Sequence, residues 1–129
     1  MARTPEEQAN LSKVLAMYRE VLIPMNPDTV DEHLLPRHIQ HSSLAEPGLD
    51  ALKRFLAHAR RQSPNARQTI HRAFADGDHV IVHMHVVRWP DDPGLAVIDI
   101  FRCEAGEIVE HWDVIQDVSA KPINRNALS

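Results

Sequence analysis

The stretch FRCEAGEIVEHWDVIQ, Phe101–Gln116, reads as two β-strands joined by a tight turn. Glu104-Ala105-Gly106-Glu107 is a short glycine-containing hairpin connection, flanked by residues that alternate between apolar and polar. The second strand nevertheless carries Glu110, His111, Trp112 and Asp113 in its middle. A strand centre faces a core on at least one side, so a charge there needs a partner or a purpose.

Upstream, the same two-residue period continues. ARQTIHRAFAD, GDHVIVHMHVVRW and GLAVIDIFRCE precede the last strand, giving four β segments. Asp76-Gly77-Asp78 marks one hairpin turn, and Trp89 to Gly94 forms a longer proline-rich loop. Before Ala66 the period is helical. In PEEQANLSKVLAMYREVLI, Thr4 is a cap, Pro5 suits the first helical position, and Glu7 completes a capping box. Leu11, Val14, Leu15, Tyr18, Val21 and Leu22 form its apolar stripe, and Pro24 ends it. A second, shorter helix is expected over Asp28–Leu35, capped by Asp28 and stopped by Pro36. Residues 37–47 carry turn chemistry, and LDALKRFLAHARRQ is a third amphipathic helix. The order predicts an α+β fold: three N-terminal helices on a curved, mostly antiparallel sheet, with a cone-shaped internal pocket between them. Residues 1–129 form one domain, with a C-terminal tail over about 119–129.

Alternation sorts the side chains of each strand. Ile81, His83, His85 and Val87 share one face, against Val80, Val82, Met84 and Val86. Val97, Asp99, Phe101 and Cys103 share another, and Val109, His111, Asp113 and Ile115 a third. If the faces holding His85, Asp99 and Asp113 align, the pocket wall offers an imidazole and two carboxylates for acid–base chemistry. His41, in the loop QHSS, joins them if that loop rims the pocket. His111, His83, Phe101, Trp112 and the single tyrosine, Tyr18, are candidates for ligand contact. Trp112 shares the opposite face of the last strand with Glu110 and Gln116, where a large aromatic suits a helix or a dimer interface.

Gly77, His83 and His85 stand in the spacing G-x5-H-x-H, with which the first cupin motif begins. The glutamate and the second motif that cupins require are missing, so no metal is expected. No glycine-flanked nucleophile elbow is present, and Cys103 carries no sign of activation.

A chain of 129 residues with 43% hydrophobic and 25% charged residues has the ordinary globular balance. A net charge of -4 and the lack of a basic run argue against nucleic acid as a partner. One cysteine excludes an internal disulfide and suits a reducing compartment. MARTPEEQAN has no apolar signal region, and no apolar run reaches the length of a membrane span. The expectation is a cytoplasmic protein without a membrane partner.

HRAFADGDHVIVHMHV followed by AVIDIFRCEAGEIVEHWDVIQDV resembles the second half of the SnoaL-like proteins of the nuclear-transport-factor-2-like superfamily. Upstream, YREVLIP and HIQHSSLAEPGLDALKRFL are similar to that family's helix and its histidine-containing loop. The resemblance implies a cone-shaped α+β barrel, often a homodimer, around a cofactor-free pocket for a small molecule. It also implies polyketide-cyclase chemistry, an intramolecular aldol closure in which an acidic residue is acid and base. Carried over, Asp113 and Asp99 are the acidic candidates, and His85, His41 and His111 their partners. The asparagine-proline that follows the family's loop histidine is Ser42-Ser43 here. The superfamily also includes isomerases, epoxide hydrolases, dehydratases and non-catalytic binding proteins, so the alternative is a ligand-binding or dimerisation module of the same fold.

Overall fold

The computed structural model describes residues 2–43 and 45–128; Met1, Leu44 of the expected loop and Ser129 of the tail lie outside them. Helix α1 spans Pro5–Met17 and begins with the expected capping box: the Thr4 side chain accepts from the Glu7 amide, and the Glu7 carboxylate accepts from the Thr4 amide. It runs on into a π-helical turn, Tyr18–Leu22, in which the Ile23 amide reaches back to the Tyr18 carbonyl. Such turns are rare and recur at functional sites. A 3-10 turn, Pro27–Thr29, and a four-residue α2, Val30–His33, follow, and α3 spans Leu49–Gln62.

The expected helix over Asp28–Leu35 is half right. Asn26, not Asp28, supplies the cap, its side chain accepting from the Asp28 amide. The helix stops at His33, and Leu34–Gln40 is strand β1, taking in the last two residues of the expected helix, its expected stop Pro36 and the start of the expected turn segment. Pro36 sits inside this strand rather than before it. β1 is an edge strand whose pairing with β5 is interrupted between Leu34 and Ile39, so the missing proline N–H costs no ladder bond there.

Strands β2 (Arg67–Asp76), β3 (His79–Val87), β4 (Leu95–Glu104) and β5 (Glu107–Asp117) form an antiparallel meander. β1 adds in parallel beside β5, giving an open sheet of order β1-β5-β4-β3-β2. One face is covered by α1 and α3. Its core joins Val14 and Met17 of α1, Val21 of the π turn and Leu56 of α3 to Val80, Val82, Phe101 and Ile108 of the sheet.

The register decides which strand faces meet. Val82 pairs with Asp99 and Met84 with Val97, so the all-apolar face of β3 shares the covered side with Asp99 and Phe101. On the next strand Asp113 stands opposite Asp99, and His111 opposite Phe101. His83 and His85 pair with Ile98 and Ala96 and lie on the outer face. The expected alignment of His85 with Asp99 and Asp113 is therefore corrected. Burial explains it: a strand with one purely apolar face turns that face inward and leaves its histidines outside.

Candidate active site

Between the sheet and the helices lies a cavity of about 450 Å³. Apolar side chains from the sheet and from both covering helices line it, among them Met17, Leu52, Leu56, Met84 and Val97. Tyr18, Asp99, His111 and Asp113 also line it. The π turn supplies Tyr18, and the adjacent central positions of β4 and β5 supply the rest.

These groups form a hydrogen-bonded row. The Tyr18 hydroxyl donates to Asp99 Oδ2, and His111 Nε2 lies 2.8 Å from Asp99 Oδ1. On its other side, His111 Nδ1 lies 2.6 Å from Oε1 of Gln40, which also accepts from the Ser42 amide at 3.0 Å. Phe101 packs the row in place, stacking on His111 with centroids 4.6 Å apart and meeting Tyr18 edge-on at 5.8 Å. Tyr18 is 1% exposed. That burial, and then the neighbouring carboxyls of Asp99 and Asp113, raise its hydroxyl well above the ordinary tyrosine value, so it remains a donor.

Asp113 is only half-buried and lines the same cavity. Among the described residues, none forms a hydrogen bond or ion pair with its carboxylate. Asp99, His111 and Asp113 are also the one group of described side chains close enough to share a cation, with donor atoms within 4.8 Å of one another. Asp99 and His111 are engaged with each other, with Tyr18 and with Gln40, so the arrangement is that of a proton network.

The sequence model of the SnoaL-like domain family matches residues 14–111, about three quarters of the chain. The chain belongs to the SnoaL-like family. Tyr18, Asp99 and His111 fall within the matched span, and Asp113 lies just past it. Solved structures agree with the fold. A candidate SnoaL-like polyketide cyclase from Jannaschia sp. CCS1 superposes with a TM-score of 0.75 at 17% identity, over 95% of this chain and 99% of that one. A candidate polyketide cyclase from Streptomyces antibioticus gives 0.67 at 15% identity, over 82% and 91%. A cystatin-fold protein from Novosphingobium aromaticivorans gives 0.70 at 19%, over 81% and 97%. No curated protein sequence matches significantly.

In this SnoaL-like domain the remaining expected site residues lie elsewhere. His41 points away from the cavity; its Nε2 is 2.8 Å from Glu110, and its ring stacks on Trp112 with centroids 5.0 Å apart. Trp112 is thus on the outer face too, with His79 on its other side. His83 binds Arg72 and the Leu128 carbonyl of the tail, and His85 binds the Pro93 carbonyl. Of the nine expected residues, Tyr18, Asp99, Phe101, His111 and Asp113 come together at the cavity, and His41, His83, His85 and Trp112 do not.

Two further lining residues, His38 and Gln40, went unrecognised because β1 was read as loop. The signal was present: Leu34, His38 and Gln40 have the even spacing of a single strand face. Burial, reinforced by nearby His111, lowers the His38 imidazole to about 4, so it is neutral at ordinary pH. At the rim, the Arg88 guanidinium lies over the Trp89 ring and is bound through two nitrogens to Asp92, at 2.8 and 3.1 Å. It is the only lysine or arginine lining the cavity among the described residues.

Proposed function

We propose that this domain is a cofactor-independent lyase or cyclase that carries out acid–base chemistry on a small, neutral carbonyl compound of polyketide-like character. The carrying observation is a division between two carboxyl groups on one cavity wall: Asp99 is held by Tyr18 and His111, while Asp113 is open to the cavity. Asp113 takes a proton from the carbon next to the carbonyl, and the Asp99–His111 pair, with Tyr18 donating to Asp99, hydrogen-bonds the oxygen of the resulting enol or enolate. The resulting carbon nucleophile closes on a second carbonyl of the same molecule. The apolar lining and the engagement of Arg88 with Asp92 favour a ligand without a negative charge.

A second reading, a double-bond isomerase working through the same enolate, is favoured by the Tyr18 hydroxyl held against a buried carboxyl group. The two differ in product, since a cyclase forms a carbon–carbon bond and an isomerase does not. We further propose a homodimer through the outer sheet face, where Phe74, Trp112 and Val114 lie, and a cytoplasmic setting, which the single free thiol of Cys103 suits.

The test is solvent exchange. A panel of aromatic and alicyclic 1,3-dicarbonyl compounds is incubated with the protein in heavy water, and loss of the α-proton signal is followed by NMR. Exchange that depends on protein and falls in Asp113→Asn supports the reading. Binding without exchange would assign the cavity to a non-catalytic module.

A further inference from the structure

The row of hydrogen bonds allows its protons to be counted, starting from its outer end. A backbone amide can only donate, so the Gln40 atom 3.0 Å from the Ser42 amide is the carbonyl oxygen rather than the side-chain nitrogen. That oxygen is also the atom 2.6 Å from His111 Nδ1. An oxygen that only accepts requires a hydrogen on Nδ1. A neutral His111 of this tautomer presents a bare lone pair at Nε2, and Nε2 faces Asp99 Oδ1 at 2.8 Å. Two acceptors at that distance repel each other unless a proton lies between them. The Tyr18 hydroxyl does not supply it, because it is engaged at the other oxygen, Oδ2.

We infer that Gln40 is a positioning residue which, held by the Ser42 amide, fixes His111 as the Nδ1–H tautomer and so obliges the Asp99–His111 pair to keep a proton between Nε2 and Oδ1. The inference deepens the proposed function and rests on it for its catalytic meaning, though not for its geometry. A pair loaded in this way enters the reaction as a proton donor. The carbon proton passes to Asp113 while the stored proton moves to the carbonyl oxygen, giving the enol. On ring closure the enol gives its proton back to the Asp99–His111 pair as its carbonyl reforms, and Asp113 gives its proton to the oxygen of the second carbonyl, which becomes the new hydroxyl, so the count closes without any other reactant. Without Gln40 the imidazole is free to turn its hydrogen to Nε2 and donate it to an ionised Asp99, and the stored proton is no longer required.

The experiment is long-range 1H–15N correlation spectroscopy of histidine-labelled protein, which reads the tautomer whether or not a substrate is known. In the wild type, His111 is expected to show a protonated Nδ1. Gln40→Leu is expected to move it to the neutral Nε2–H form, and Gln40→Glu, which keeps the acceptor, to restore the wild-type pattern. Where turnover is measurable, Gln40→Leu lowers it by about a hundredfold and Gln40→Glu recovers most of it. A wild-type His111 in the neutral Nε2–H tautomer overturns the inference, as does an unchanged tautomer in Gln40→Leu. If Gln40→Leu does not fold, the wild-type spectrum decides alone. Uptake of one zinc or manganese ion that removes the Nδ1–H, Nε2-shared pattern also overturns it. An Nδ1–H tautomer in a protein that exchanges no α-proton would retain the inference and refute the proposed function.

Discussion

Asp99 and Asp113 stand directly opposite each other on neighbouring strands, yet they have different surroundings: Asp99 is 6% exposed and hydrogen-bonded at both oxygens, whereas Asp113 opens to the cavity. Two identical groups so placed can take two different parts in one reaction. Asp113→Asn is expected to lower α-proton exchange by about 10²–10⁴-fold with little change in melting temperature. Asp99→Asn is expected to lower both, because its amide cannot accept from Tyr18 and His111 in the same way. Exchange and melting curves measured on both variants check the contrast.

Tyr18→Phe keeps the ring in its packing against Phe101 but removes the donor to Asp99. A buried acceptor left without its donor costs about 1–3 kcal/mol. Urea denaturation should show that loss together with slower exchange. A variant as stable as the wild type would mean that the hydroxyl contributes nothing to holding Asp99.

His38 gives the fold a pH dependence of its own. Its folded value is about 4 against an ordinary 6.5, so the unfolded chain takes up a proton that the native chain refuses. Stability from this residue is complete above about pH 6.5 and declines as the pH falls toward 4, by on the order of 2 kcal/mol. Denaturation at pH 4.5, 5.5, 6.5 and 7.5 should show a shallower acid slope in His38→Leu than in the wild type.

Gly94 has φ of +95°, and a methyl group there would meet the His85 ring and come within 2.5 Å of the Val86 carbonyl oxygen. Gly94→Ala should destabilise by more than about 1 kcal/mol. Removing the ring with His85→Ala should not restore stability, since the backbone oxygen remains; thermal melts of the single and double variants test this.

Val114 is 67% exposed on the outer sheet face. Val114→Glu is expected to convert the proposed dimer into a monomer without altering the cavity. Light scattering after size exclusion reads the mass, and a wild-type monomer would refute the proposed assembly.

Much of this arrangement was legible from period alone. The capping box at Thr4, the third helix and the four-strand meander follow from local spacing, which local energetics enforce. What alternation cannot supply is which face of one strand meets which face of the next. His85 was grouped with Asp99 because both faces were mixed, whereas the pairing of Met84 with Val97 follows from burying the face that has no polar group at all. β1 was lost for a different reason. Pro36 is a strong stop in a helix but is tolerated on an irregular sheet edge, and only the tertiary position distinguishes the two. With β1 went His38 and Gln40.

The groups proposed to handle protons are rooted in the middle of β4 and β5 and in the π turn after α1, whereas α3 and the segments around it form much of the opposite wall. The proposed chemistry therefore has no hinge in it, and the wall that would meet the rest of a ligand is built from separate stretches of chain. Substitutions at Leu52, Phe55 or Leu56 can reshape what is admitted while the reacting groups keep their places. A lineage carrying this scaffold can change its diet without rewriting its digestion.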